Sequence, residues 1–421
     1  MYLRLPPAAV VRLAAVTGPA VAGLVALATG AAQAGAPLCG SDSALFAPAG
    51  QALAGGHLSA VYADPANQGG PLELLWAHLS TVRTAGCLAA PRSQWLFLLL
   101  AVAVTLAAVA VFRSVTRAVF GPAGDGALPV WQQVTARAAA DVAGCVFAAA
   151  VLPLVFRYGH PADVLIPLAW LAAARAAATG RTLTAGLLVG AATGWETWAL
   201  LGVSVLLLTP GSCAGTGAPR SRRRAVGAGT AAAAGVAACW YLPFALSGRF
   251  AMGSMSWPMW PHTLVGTLTG GYEETWTLRL LQAVVAAGAG AAICARLRGT
   301  PCAVWSGPLT VIVVRLFTDP TFYRYYWAIP ATLAVAAAGA TLTTAITAVV
   351  TRHAGGGQAA NPGTGRWSLV AALTGCVAAV AGVAVMHGRI APGAYGPLTL
   401  ALAGLVLLAA AGAGTRWLGP Q

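Results

Sequence analysis

From Trp95 to Phe112 the chain carries no charged residue, and only Thr105 interrupts the apolar side chains. A helix rises ~1.5 Å per residue, so such a run is about as long as the ~30 Å hydrocarbon core of a bilayer. Inside hydrocarbon no water serves the backbone N–H and C=O groups, which leaves only helices and closed barrels as spanning structures. Barrel strands would alternate apolar and polar residues with a period of two. This run, and others like it, are unbroken stretches of Ala, Val and Leu. The chain is therefore expected to be all-α, a polytopic integral membrane protein with a single multi-span domain over residues 1–421. Only 8% of its residues are charged, against ~25% in soluble domains.

All 24 basic residues are arginine, and against 10 acidic residues they leave a net charge of +14. The arginines are scattered between apolar runs and form no single basic face, which argues against a nucleic-acid partner. They serve better as topology signals, because cytoplasmic loops collect positive charge. Clusters at Arg4/Arg12, Arg113/Arg117, Arg175/Arg181, Arg220 with Arg222–Arg224, Arg296/Arg298, Arg352/Arg366 and Arg416 then mark the cytoplasmic side. Between them, spans are expected near 8–30, 93–112, 131–156, 163–179, 226–246, 276–295, 302–317, 326–350, 367–386 and 396–414, about 10 full spans. Residues 182–209 lie between two cytoplasmic clusters and are too few to cross twice. Broken by Gly190, Gly194 and Glu196, they are expected to form two short helices turning near Trp195-Glu196, sheltered by protein rather than lipid. Both termini are then cytoplasmic, in a multi-pass protein of the plasma membrane. Arg4, Arg12, an apolar stretch and Ala32-Gln33-Ala34 resemble a signal peptide, and the segment is expected to stay on as an uncleaved first helix.

This topology leaves residues 31–92 as a large first external loop. Ala44–Leu53 and Leu72–Leu79 are expected as short interfacial helices; loops 210–225 and 351–366 are expected to be plain linkers. None of the eight cysteines pairs at C-x-x-C spacing. Cys39 and Cys87 share the external loop and form the one expected disulfide. The sequence has no Asp-x-Asp, so neither a metal nor another cofactor is implied.

Of the ten acidic residues, all but Asp125 and Asp141 fall on or near the external face, with Glu196 and Asp163 at the ends of apolar helices. Arg249, Arg279, Arg315 and Arg324 join them there, against the topological bias. Charges near membrane depth are costly and usually face a cavity or a partner, and arginine forks suit phosphate oxygens. Ordinary salt bridges, Arg324 to Asp319 and Arg279 to Glu274, account for the same pattern.

The first loop carries Asp42, Phe46, Gly50, Gly55, Val61, Tyr62 and Pro71 in that order. The order resembles that of the C-type glycosyltransferases, specifically the actinobacterial family 87, multi-pass enzymes that use polyprenyl-phosphate sugars. There an Asp after the first span is followed by an aromatic, a small-residue helix, a Gly and a Val-Tyr or Leu-Tyr. Tyr158-Gly159-His160 stands where the family often has Gly-Gln, and Gly180-Arg181 with Ala185–Gly190 is similar to its glycine-rich broken helix. That helix often continues with a Lys in the family, whereas here Glu196 stands in the neighbourhood, and of the family's Tyr-Pro-Pro only Gly70-Pro71 remains. The resemblance covers roughly residues 8–350.

What this resemblance implies is mannosyl transfer from a polyprenyl-phosphate sugar to a lipid or glycan acceptor on the external leaflet. Asp42 would be the general base, taking the proton of the attacking hydroxyl. The leaving phosphate is already stable, so the second carboxylate of a glycosidase is dispensable. Asp42 is equally placed to cap a short helix. His160 and His262 are candidate phosphate ligands or interfacial residues. Tyr62, Trp257 and Trp260 can stack on sugar or belong to the aromatic belt. Glu196, Arg249 and Arg324 complete the candidate substrate-binding set, with Glu196 also readable as an arginine partner or a turn residue. His57, Asp64 and His78 are expected to be solvated. The competing readings are a transporter or lipid flippase, whose polar residues should lie nearer the bilayer midplane, and a catalytically degenerate family member.

Single-cysteine labelling in intact cells checks the topology. A probe near residue 60 should react from outside and one near 220 only after permeabilisation; the reverse pattern would overturn the assignment of sides.

Overall fold

The computed structural model describes residues 7–33, 42–80, 82–84, 87–89, 94–120, 128–211, 218–256, 259–260, 263–270, 276–300, 302–321 and 323–353. The expected spans 367–386 and 396–414, and residues Cys39, Trp257, His262 and Glu274, lie outside these. In chain order the helices are α1 (Pro7–Gln33), α2 (Ser43–Ala54), α3 (Leu58–Val61) and α4 (Pro71–Ser80), followed by a short hairpin of β1 (Val82–Thr84) and β2 (Cys87–Ala89). Then come α5 (Gln94–Ala118), α6 (Val130–Val146), a π-helical turn Phe147–Val151, α7 (Leu152–Tyr158), α8 (Ala162–Ala178) and α9 (Thr182–Ala192). A 3-10 run Thr197–Leu208 leads to α10 (Ala218–Leu246), α11 (Leu264–Thr269), α12 (Trp276–Leu297) and α13 (Ala303–Phe317). A 3-10 turn Arg324–Trp327 opens α14 (Ala328–His353).

Among the described residues six helices are long and apolar enough to cross a membrane: Leu13–Ala32, Leu98–Ala118, Val130–Val151, Arg220–Leu246, Trp276–Leu297 and Tyr325–Thr347. The two other expected spans correspond to α8 and α13, which have only 17 and 15 residues. Both are sheathed by neighbours along most of their length. Within the six, the span of α14 is 72% buried and that of α10 only 11%, so α14 runs through the middle of the bundle and α10 along its outside.

At one end of the bundle α1 is pinned by a charge. Pro19 has no N–H, so the carbonyl of Ala15 loses its helical partner. The Arg113 guanidinium donates to that carbonyl and to Ala14's at 3.0 Å, and forks onto both Asp141 oxygens at 2.8 Å. Gly18 makes room for it, since a Cβ there would meet the Asp141 carboxylate at 1.9 Å.

Residues 182–209 break as expected, into α9 and the 3-10 run, with Thr193–Glu196 between them. The 12-residue length of that run is unusual, since 3-10 helices rarely exceed three or four residues. Tertiary contacts hold it: the Trp170 indole fills the space over Gly202 and donates to the Ala199 carbonyl at 2.8 Å. The supposed linker 210–225 needs correction. Helix α10 already begins at Ala218, and Arg222 turns back to donate to the carbonyls of Leu207 and Thr209 at 2.8 and 2.9 Å. These would otherwise be orphaned at the end of the run.

At the opposite end, α2 lies across α4. Gly50 allows it, because a Cβ there would stand 1.9 Å from the Leu74 carbonyl oxygen. The start of α4 is joined to the break after α9 by backbone: Gly70 N–H donates to Trp195 at 2.7 Å and Leu72 N–H to Gly194 at 2.8 Å. Gly70 too is obligatory, with Gly194 oxygen 2.4 Å from where its Cβ would be. Beneath, Tyr62 is fully buried against Phe244 and Phe250, with its hydroxyl donating to Gly69 at 3.0 Å.

The crossing at Gly50 generates a test. Gly50→Ala should lower thermal stability in detergent by about 1–3 kcal/mol, the usual cost of overpacking. Gly235→Ala, in α10 with nothing within 4 Å, should not lower it. Equal melting temperatures for the two variants would contradict the close α2–α4 contact.

Candidate functional site

Asp42 sits at the N-cap position of α2, yet its side chain makes no capping bond. Its Oδ2 instead accepts the Tyr325 hydroxyl at 2.7 Å and lies 2.9 Å from His160 Nε2. The capping and site roles weighed from the sequence are thereby separated: the carboxylate points away from the α2 amides. With 37% of its side chain exposed, Asp42 remains reachable from outside the protein.

His160 is placed by the tight turn Gly159-His160-Pro161 between α7 and α8. Gly159 has φ +79, a left-handed conformation that favours glycine. The imidazole is almost sealed, with 4% of its side chain exposed, and its Nδ1 lies 2.9 Å from Glu73 Oε1. One ring thus stands between two carboxylates, one from the start of α2 and one from the first turn of α4. Tyr325 stacks on it at 4.1 Å and 12°, and Phe46 presents an edge at 6.0 Å.

Two more acids complete the group. Asp163, in the first turn of α8, is 1% exposed and its Oδ2 has no hydrogen-bond partner. Glu196, at the break after α9, offers a carboxylate oxygen within 4.8 Å of ligating atoms on both Glu73 and His160. The Arg315 guanidinium, at the end of α13, is buried 4.5 Å over the Trp198 ring and 5.1 Å over the Tyr326 ring, a cation–π arrangement.

These contacts shape the protonation equilibria. Burial pushes the Asp42 carboxyl up, but the His160 hydrogen bond and charge, helped by Tyr325, outweigh it and hold Asp42 below its usual value. Burial alone would lower His160; the hydrogen bonds and charges of Asp42 and Glu73 win and hold it well above the ordinary imidazole range. Glu73, wholly buried, is pushed up by desolvation, with only partial relief from His160.

Beyond His160 an aromatic ladder runs outward. Tyr325 stacks on Tyr323 at 5.3 Å, and Tyr323 lies 5.9 Å from Trp260, whose side chain is exposed.

Of the candidate residues, Asp42, His160 and Glu196 come together. Tyr62 does not belong with them: it is a core residue with 0% exposure and no face free to stack on a sugar. Arg249 is exposed on the turn after α10, outside the hydrogen-bonded group. Arg324 opens the 3-10 turn, but its side chain, like His262, is outside the described residues. Arg279 pairs with Asp319 at 3.1 Å, because α12 and α13 pack side by side and bring that carboxylate within reach; the expected partner Glu274 lies outside the described residues. Sequence reasoning passed over Glu73 and Tyr325. The run Tyr323-Arg324-Tyr325-Tyr326-Trp327 after Asp319-Pro320 was a visible signal; Glu73 looked like any acidic first-turn residue. The chain matches no protein-family model, no curated protein and no solved structure.

Tyr325→Phe keeps the stack on His160 and removes the donor to Asp42. A hydrogen bond to a charged group contributes about 1.5–3 kcal/mol. With Asp42 partly solvated, a loss near the lower figure is expected in thermal unfolding, and an unchanged melting temperature would argue against the bond.

Proposed function

We propose that the chain is a membrane glycosyltransferase that moves a sugar, mannose by the family resemblance, from a polyprenyl-phosphate donor to a lipid or glycan acceptor. Asp42 acts as general base at the external face of the plasma membrane, with both termini in the cytoplasm. The observation that carries the reading is the state of Asp42: relieved of capping, held on one oxygen by Tyr325 and His160, and open to the outside. Both bonds fall on Oδ2, so Oδ1 is the atom to meet an acceptor hydroxyl.

The chemistry balances without further groups. The acceptor oxygen attacks C1 of the donor sugar from the face opposite the phosphate. Its proton passes to Oδ1, the new C–O bond forms, and the old C1–O bond leaves its electron pair on polyprenyl phosphate. A base held below the usual carboxylate range stays ionised, and so ready to accept, at any physiological pH. Trp260 and Tyr323, at the outer end of the aromatic ladder, offer apolar surface suited to a sugar ring or an isoprenoid. Sidedness is supported by charge. At the far end of α8 from Asp163, two cavities of about 340 and 430 Å³ are lined by Arg113, Arg117, Arg175 and Arg181, as a cytoplasmic face would be.

Transfer of labelled sugar from a polyprenyl-phosphate donor in membranes tests the reading. Asp42→Asn should insert and fold normally and lose ~10²–10⁴-fold in rate. Asp64→Asn, exposed in the same loop with its carboxylate accepting from the Ala66 amide, should transfer at the normal rate. Near-normal transfer by Asp42→Asn would remove the catalytic assignment. No transfer by the unsubstituted protein with any such donor would favour a transporter, a flippase or a degenerate relative.

A further inference from the structure

Glu73, His160 and Glu196 come from three separate stretches of chain: the first turn of α4, the α7–α8 turn and the break after α9. One ligating atom from each lies within 4.8 Å of the other two. The meeting is built in by the backbone. Gly70 and Leu72 donate to Trp195 and Gly194, Gly69 and Glu196 form a β-bridge, and Gly70 has no room for a side chain. The two carboxyl groups are therefore held together by main-chain bonds that neither side chain can relax.

The atoms at the centre are under-served. His160 Nδ1 lies 2.9 Å from Glu73 Oε1, an ion-pair contact, while Glu73 Oε2 is buried with no hydrogen-bond partner among the described residues. Leaving a buried group unsatisfied costs ~1–3 kcal/mol, and more when it is charged. Four acids, Asp42, Glu73, Asp163 and Glu196, gather around two bases, the His160 imidazole and the Arg315 guanidinium.

We propose that Glu73, His160 Nδ1 and Glu196 hold a divalent first-row metal ion, Mn²⁺ or Zn²⁺. One imidazole nitrogen with two carboxylates is a donor set these ions accept, and a 2+ charge suits a cluster that holds more acids than bases. The other face of the ring fits. A metal-bound histidine commonly donates its second N–H to a carboxylate, which fixes tautomer and orientation. His160 Nε2 stands 2.9 Å from Asp42 Oδ2 in that relation, and Tyr325 stacked on the ring prevents its rotation. The ion would then anchor, through His160, the carboxylate assigned as base, while touching neither the acceptor nor Asp42. The site stands on its own geometry and does not depend on sugar transfer.

The test measures metal content rather than activity. The full chain is purified in detergent through an affinity tag that lacks histidine, stripped with chelator, equilibrated with Mn²⁺ or Zn²⁺ and freed of excess ion. One ion per chain is expected by elemental analysis. Glu73→Gln and Glu196→Gln should each weaken binding at least about 10-fold, the lower end of what outer-shell changes cost, while Asp64→Asn should bind normally. Should the variants fail to fold, the unsubstituted protein loaded with Mn²⁺ decides alone: pulsed electron paramagnetic resonance should show coupling to one imidazole nitrogen. No retained ion, retention undiminished in both glutamine variants, or a manganese spectrum without nitrogen coupling would each overturn the site. A proton shared between Glu73 and Glu196 is then what holds the pair.

Discussion

Placing one imidazole, sealed from water, between two carboxylates constrains everything around it. His160 reaches Asp42 on one side and Glu73 on the other, each at 2.9 Å, so α2, α4 and the α7–α8 turn must arrive in register. Charges buried this deeply are tolerated only when paired. A displaced α2 would leave His160 facing one carboxylate fewer, and a displaced α4 would leave Glu73 alone in a dry interior. Tyr325 adds a third constraint by both stacking on the ring and donating to Asp42, which ties the start of α14 to the same point. Since α14 is the most buried of the long helices, the polar cluster is anchored to the centre of the bundle.

The precision this requires comes from small residues. The chain holds 51 glycines, and in the fold particular ones decide how closely elements approach. Gly50 lets α2 lie on α4, Gly70 lets the first loop pair with the α9 break, and Gly186 brings α9 against Gly229 of α10 with its virtual Cβ only 2.0 Å from that carbonyl. Between helices in lipid, where apolar side chains gain nothing by association, close backbone approach of this kind is a principal source of cohesion. The two ends of the bundle are held by different chemistry. Arg113 completes a proline-damaged helix and pairs with Asp141 at one end, and carboxylates gather around a histidine at the other.

Within the site, the sequence and the fold agree unevenly. Asp42 and His160 were singled out by the order of residues that resembles the glycosyltransferase family, and the fold brings them within 2.9 Å of each other. Glu196 was legible as the polar residue at the break between two short apolar helices. Tyr62 was misleading: it matches the order Val-Tyr in the resembling family, yet its ring is core and its hydroxyl serves Gly69. Glu73 and Tyr325 were invisible as partners, because nothing in local pattern says that residues so far apart in the chain share one histidine. Two of the four outer arginines are engaged within the protein, Arg279 with Asp319 and Arg315 over the aromatic rings of Trp198 and Tyr326. Arginine count and side reveal a charge, while pairing depends on which helices are neighbours.

By itself the amino-acid sequence determined the helical character of this protein, the long apolar helices, the short helices of the first loop and the interruption between residues 182 and 209. These depend on hydropathy, helix length and breaker residues, all of which act within about 20 residues of chain. Only the tertiary structure decided the span-like helices that came out short, the early start of α10 at Ala218, the core role of Tyr62 and the gathering of Asp42, Glu73, His160, Asp163 and Glu196 at one end. Those outcomes rest on which helix faces meet. In a bundle of uniformly apolar helices the faces are distinguished by a few glycines and buried charges, whose partners lie far away along the chain.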